Sequence, residues 1–165
     1  MLITLDDVRY SEKPDRAEFG KLTNRMKTAT PQEVTLEEFA AHVEQGKPFI
    51  GGAFDDGLKT LKSWQVVSLD FDDGTLSPIA ALERCELLGV SVAFLYFTLS
   101  ATLDHPRYRL VFVLEEPLHD EERARECIEA LLAAFPEADQ SCKNPNRIYL
   151  GSCGEVWRVW KVYLI

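Results

Sequence analysis

Trp64-Gln-Val-Val-Ser-Leu-Asp70-Phe-Asp72-Asp73-Gly74 is the stretch that decides how this chain is read. It opens as a short apolar run rich in β-formers, the pattern of a buried strand, and closes in carboxylates. The period-two geometry of a strand sends Asp70 and Asp72 to the same face at its end. Two carboxylates so close repel, and each raises the other's pKa unless a cation sits between them. Their oxygens suit hard divalent ions, Mg²⁺ or Mn²⁺. The alternative is that these acids cap a turn and face water, as acid-rich turns commonly do.

Outward from this strand the spacing predicts an α+β domain. A short opening strand and two helices come first. One helix runs from Asp15 to about Lys27 with Phe19, Leu22 and Met26 on its apolar face. The other follows the capping-box form Thr35-Leu-Glu-Glu38 and stops near Gly46-Lys-Pro48. Gly51-Gly52 and Asp55-Asp56-Gly57 mark loops. After the DFDDG turn come a helix over about Pro78–Leu88 stopped by Gly89, buried strands at Val90–Thr98 and Tyr108–Leu114, and an amphipathic helix over Asp120–Phe135 carrying Cys127, Ile128, Leu131 and Leu132. The tail returns to strand at Arg147–Leu150 and again from Val156 to Ile165. The order β–α–β–β–α–β predicts a central, largely antiparallel sheet with flanking helices.

Composition bounds the rest. The chain has 165 residues, 46% of them apolar, enough for one core and too many for a disordered chain. No stretch approaches the roughly 18–20 uninterrupted apolar residues of a membrane span, so no membrane partner is expected. The acids in MLITLDDVRY stand where a secretory signal has basic residues. Cys85, Cys127, Cys142 and Cys153 lie far apart with no C-x-x-C pair, against a zinc knuckle or a disulfide framework. A reduced, cytoplasmic protein is the expectation. With a net charge of −9 and a pI near 4.8, polyanion binding must come from a local basic cluster rather than the whole surface.

Candidate clusters exist. Arg107-Tyr108-Arg109 places two guanidinium forks on one face of a strand, suited to triphosphate or nucleic-acid backbone; an ion-paired strand face is the alternative. Ser100 and Thr102 precede it, with His105 as a candidate phosphate contact or an ordinary loop residue. Asp139, in Phe135-Pro-Glu-Ala-Asp139-Gln-Ser-Cys-Lys-Asn-Pro-Asn-Arg147, offers a third acid beside Lys143 and Arg147, unless loop chemistry alone explains it. His42 and His119 read as surface positions, and Trp64, Trp157 and Trp160 as packing residues. From Asp139 to the end, Lys143, Arg147, Arg158 and Lys161 outnumber Asp139 and Glu155, a local excess of +2. DFDDGTL also looks like the signature of haloacid-dehalogenase-type phosphatases, with Asp70 as nucleophile. The extra Asp73 displaces the Gly-Thr by one place, and that fold has this strand open the chain in an open α/β sheet.

In order and spacing, three blocks resemble the archaeo-eukaryotic primase superfamily, in the primase-polymerase branch of phages, plasmids and integrated elements. Val66-Val-Ser-Leu-Asp70-Phe-Asp72 is similar to its hydrophobic strand ending in DxD. Phe97-Thr-Leu-Ser100, six residues, then Arg107-Tyr-Arg109-Leu-Val-Phe112 resembles its Ser turn running into a P-R-[FY]-R strand. Asp139 through Arg147-Ile-Tyr149 resembles its Asp followed by a P-x-R strand start. The blocks cover about half the chain.

The resemblance implies an RRM-like, mostly antiparallel sheet, with residues 61–165 as the catalytic subregion and 1–60 as a small helical N-terminal subregion of one domain. It implies that Asp70, Asp72 and Asp139 hold Mg²⁺ or Mn²⁺ for two-metal phosphoryl transfer. Ser100, His105, Arg107, Arg109, Lys143 and Arg147 would bind nucleoside triphosphate. The function implied is a DNA primase-polymerase, joining nucleotides on a DNA template in replication of a phage or mobile element. A helicase in the same or a neighbouring chain would be a further partner. One departure stands out: where the family places a His immediately after the second-block Ser or two residues on, this chain has Ala101 and Thr102, with His105 the nearest. That departure keeps a second expectation in play, a catalytically degenerate domain of this fold that binds nucleic acid or a replication partner. The apolar run WRVWKVYLI at the end of the sequence leads us to expect an N-terminal domain cut from a longer protein, with a stand-alone protein as the alternative. Alanine at Asp70 or Asp72 is expected to abolish synthesis without unfolding the domain.

Overall fold

Capping chemistry sets most of the boundaries. In the computed structural model, which describes residues 1–159, the order is β1 (Leu2–Leu5), α1 (Arg16–Thr28), β2 (Gln32–Glu33), α2 (Leu36–Glu44), β3 (Phe49–Ile50), β4 (Gly52–Asp55), β5 (Thr60–Phe71), α3 (Pro78–Leu88), β6 (Phe94–Thr98), β7 (Tyr108–Leu118), α4 (Glu121–Ala134) and β8 (Ser152–Arg158). Asp15, Ser77 and Asp120 each accept a backbone N–H at a helix start. Thr35 and Glu38 close a reciprocal capping box on α2, and Gly89 ends α3 with φ +68°. Among the described residues no helix is long and apolar enough to cross a membrane. All four cysteines are free.

The main sheet runs β4-β5-β7-β6-β8 with every neighbouring pair antiparallel. Both faces are covered, which is why β5 reads as a near-continuous apolar run. Its odd positions Val67, Leu69 and Phe71 pack with Tyr108, Leu110 and Phe112 against α3 and α4, through Ala81, Cys85, Ile128, Leu132 and Phe135. On the other face Val66, Phe94, Tyr96 and Val111 pack against Ile3, Phe39, Val43, Phe49 and Tyr149 of the N-terminal elements and the late crossing segment. β1 centres a second, three-stranded sheet, β2-β1-β3. Asp70 therefore points toward the N-terminal elements, away from α3 and α4.

Several boundaries differ from the sequence reading, each for a tertiary reason. The N-terminal part holds its two helices but also strands β2, β3 and β4, pairings invisible without their partners. The loop expected at Gly51-Gly52 shrinks to a bend at Gly51 between β3 and β4: Gly52 begins β4, and a Cβ on Gly51 or Gly52 would run into the carbonyl oxygen of Val66 or Ser63 on β5. The glycines permit this close backbone approach. Gly51→Ala is expected to cost about 1–3 kcal/mol through overpacking, read as a lowered Tm in thermal denaturation. The strand expected at Val90–Thr98 starts at Phe94, because Val90 is consumed by the α3 terminus, its N–H donating to Cys85 C=O (2.9 Å).

Arg147–Leu150 is not a strand but a crossing segment, with Tyr149 alone bridging Phe49. It carries the chain over the sheet face and delivers β8 to the edge beside β6. Of the tail strand expected to run to Ile165, β8 starts earlier and ends at Arg158; Trp160, Lys161 and the remainder lie outside the described residues. His42 is half-buried rather than at the surface, its Nε2 donating to Pro48 C=O (2.9 Å), and burial lowers its pKa. The antiparallel sheet also overturns the phosphatase alternative, whose open α/β sheet is absent among the described residues.

Candidate active site

Register assembles the centre of the site. Asp70 on β5 lies opposite Arg109 on β7, which lies opposite Tyr96 on β6. The three side chains thus share one row across three strands. Arg109 donates to Asp70 Oδ2 at 2.9 Å, with only 13% and 4% of the two side chains exposed. The guanidinium also donates to the Tyr96 hydroxyl (3.1 Å) and Leu150 C=O (2.9 Å), and lies 5.7 and 5.4 Å from the Tyr96 and Tyr149 ring centroids. Burial alone would lower the Arg109 pKa; the Tyr96 and Asp70 oxygens override it and hold the group charged. The other carboxylate oxygen, Asp70 Oδ1, is buried with no hydrogen-bond partner among the described residues.

Past the last ladder pair, Phe71 with Tyr108, the turn divides the acids by role. Asp73 caps it, accepting from Thr75 N–H (2.9 Å) and Oγ1–H (2.7 Å), which is the turn-capping alternative realised at one residue of the three. Asp72 makes no such bond. Desolvation of its carboxyl, and next the Asp70 charge, raise its pKa above the ordinary aspartate value. Asp139 is brought alongside by the backbone, its N–H donating to Asp70 C=O (2.8 Å). Its carboxylate accepts from Ser141 N–H (3.0 Å) and Oγ (2.7 Å) and from Cys142 Sγ (3.0 Å), with Arg147 at 3.8 Å. Although burial pushes the other way, these donors hold the Asp139 pKa low.

Asp70, Asp72 and Arg109 floor a cleft of about 800 Å³ between the main sheet and the N-terminal elements. Asp70, Asp72, Ser100, Arg107, Arg109 and Arg147 line it, as the sequence placed them; Asp139, Lys143 and His105 do not. Lys143 reaches Glu129 (3.6 Å) and Arg158 pairs with Glu44 (2.7 Å), so among the described tail cations Arg147 alone is brought to the cleft; Lys161 lies outside the described residues. His105 is turned to Asp72, Nε2 donating to its C=O at 2.8 Å. The Arg107 Nε is buried without a partner.

The opposite wall was missed from sequence. Lys13, Lys27 and Lys59 line it, none ion-paired among the described residues, giving six cations against two carboxylates. Phe19, Thr23 and Lys27 stand at i, i+4 and i+8 on α1 and share the cleft side. Leu22 and Met26 are the buried face, whereas Phe19 is 38% exposed. That spacing was the available signal; the apolar count on α1 obscured it.

Among the described residues no three Asp, Glu, His or Cys side chains form a ready metal cage. Mg²⁺ needs none, since it is usually held by one or two carboxylates with waters and substrate phosphates filling the remaining positions. The orphaned Asp70 Oδ1 beside Asp72 fits that donor set.

Fold and site together define the class: an RRM-like α+β domain with the primase-polymerase fold, its DxD carboxylates at the floor of a basic cleft. No family model matches the chain, and no curated protein matches it. Among solved structures it is similar to the AEP domain of the cyanophage S-2L primase-polymerase, with a TM-score of 0.52 over 94% of this chain and 78% of that one. The two are 18% identical in sequence, so the likeness establishes the fold.

Proposed function

We propose that the domain is a metal-dependent nucleotidyltransferase, a primase-polymerase joining nucleotides on a DNA template in replication of a phage or mobile element. The observation that carries it is the unpartnered Asp70 Oδ1 next to Asp72, on the floor of a cleft where six cations gather in a chain of net charge −9. A polyanion and a divalent ion are the ligands such a site takes. Asp70 and Asp72 would hold Mg²⁺ or Mn²⁺, with Asp139 adjoining. Bound there, the ion would neutralise phosphate charge and polarise the phosphoryl oxygen under attack.

Arg107, Arg147 and Ser100 bind the triphosphate. Arg109 acts differently: committed to Asp70, Tyr96 and Leu150, it sets the carboxylate's orientation rather than gripping phosphate. Lys13, Lys27 and Lys59 attract the strand backbone, a salt-sensitive contribution. The four free thiols suit the reducing cytoplasm. A helicase partner rests on the sequence resemblance alone.

A second reading, a degenerate domain that binds nucleic acid without synthesis, is favoured by one observation: Ala101 and Thr102 stand where the family has a His, and His105 is engaged with Asp72 instead. Calorimetric titration of a nucleoside triphosphate with and without Mn²⁺, followed by labelled-nucleotide incorporation on a primed template, separates the two. Mn²⁺-dependent binding with incorporation is expected. Binding without incorporation, or no binding in either condition, overturns synthesis and leaves the second reading.

A further inference from the structure

The segment joining β6 to β7 folds back on itself. Thr98 N–H donates to Arg107 C=O (2.9 Å), Thr102 N–H donates to His105 C=O (3.1 Å), and His105 N–H reaches Thr102 C=O (3.3 Å) and Oγ1 (3.1 Å). This turn leaves Leu103 fully exposed and aims the His105 ring at the DFDDG turn. There Nε2 donates to Asp72 C=O at 2.8 Å, across 33 positions of sequence. The ring also rests against Gly74, where a Cβ would sit 3.2 Å from both Cε1 and Nδ1 and where φ is +73°. Asp72 lies beyond the last ladder pair of β5, and among the described residues no other side chain hydrogen-bonds to it.

We propose that His105 is a positioning residue: it latches the loop carrying Ser100 and Arg107 to the backbone of Asp72. The carboxylate side and the phosphate side of the cleft floor are then held as one unit. His105 contacts neither nucleotide nor metal, and the family's nucleotide-contacting His has no counterpart in this role. The proposal rests on Asp72 being a metal ligand, as argued above. Outer partners that orient a ligand typically alter metal affinity by tenfold or more when removed. A bond made to the ligand's backbone acts less directly.

The test is Mn²⁺ affinity, measured by calorimetry and electron paramagnetic resonance, alongside Tm, for the wild-type chain, Asp72→Ala, His105→Ala and His105→Gln. The Gln amide nitrogen has the reach of Nε2. His105→Ala is expected to weaken Mn²⁺ binding about five- to tenfold, while Gln restores it to within about twofold at an unchanged Tm. Gly74→Ala, which presses on the ring, is expected to behave as His105→Ala. Normal Mn²⁺ affinity in His105→Ala, with Asp72→Ala impaired, overturns the latch and spares the metal site. Normal affinity in Asp72→Ala overturns the metal assignment itself. Weakened triphosphate binding in His105→Gln without Mn²⁺ would mean direct nucleotide contact, and also overturns the latch.

Discussion

Asp72→Ala is expected to reduce Mn²⁺-dependent nucleotide incorporation by about 10³-fold or more while leaving Tm within a few degrees. The rate loss follows from removing a carboxylate that would hold the ion, a contribution of several kcal/mol to phosphoryl transfer. The fold is spared because the Asp72 side chain is exposed and, among the described residues, takes part in no ion pair or hydrogen bond. The sign of its pKa shift adds a second check. Partial desolvation of the carboxyl at the cleft floor and the neighbouring Asp70 charge raise the Asp72 pKa, so the folded state holds this proton more tightly than the unfolded chain. Its contribution to stability is thus present at low pH and lost as pH rises through the raised value. Ion binding runs the other way, strengthening as pH rises through that same value. Thermal denaturation and incorporation assays across the acid range measure both trends. Full synthesis by Asp72→Ala would remove this residue from the site.

Asp70→Ala is expected to behave differently, losing synthesis and also about 3–5 kcal/mol of stability, a fall in Tm of roughly 10 °C or more. Asp70 is the charge partner of a buried guanidinium, and truncating it leaves Arg109 uncompensated between the Tyr96 and Tyr149 rings. The sequence expectation that alanine at either aspartate would spare the fold is therefore kept as an expectation for Asp72 and revised for Asp70, on the geometry of the buried pair. The double change Asp70→Ala with Arg109→Met is expected to recover much of the lost Tm, since apolar groups in place of a whole buried pair are often near neutral. Synthesis would stay absent. Denaturation of the three variants beside the wild type decides it. An unchanged Tm in Asp70→Ala would show that the pair does not hold the sheet row together.

By itself the sequence determined the order of the central elements and the faces of the key strand. A short apolar run of β-formers marks β5, the capping box at Thr35 marks a helix start, and the period of two along a strand puts Asp70 with Asp72 and Arg107 with Arg109. All of these are short-range properties, written within a few residues of where they act. Tertiary structure alone decided the rest. Opposing Asp70 to Arg109 and Tyr96 requires strand register, which is set by cores on both faces of the sheet rather than by any one segment. Turning 147–150 from an expected strand into a crossing segment required the bridge of Tyr149 to Phe49, about a hundred residues away. The lysines of the outer wall belong to elements that read as a structural preamble until the chain folds them over the sheet. Long-range packing chooses among partners that local spacing leaves equivalent, which is why the carboxylates were legible in sequence and the cleft around them was not.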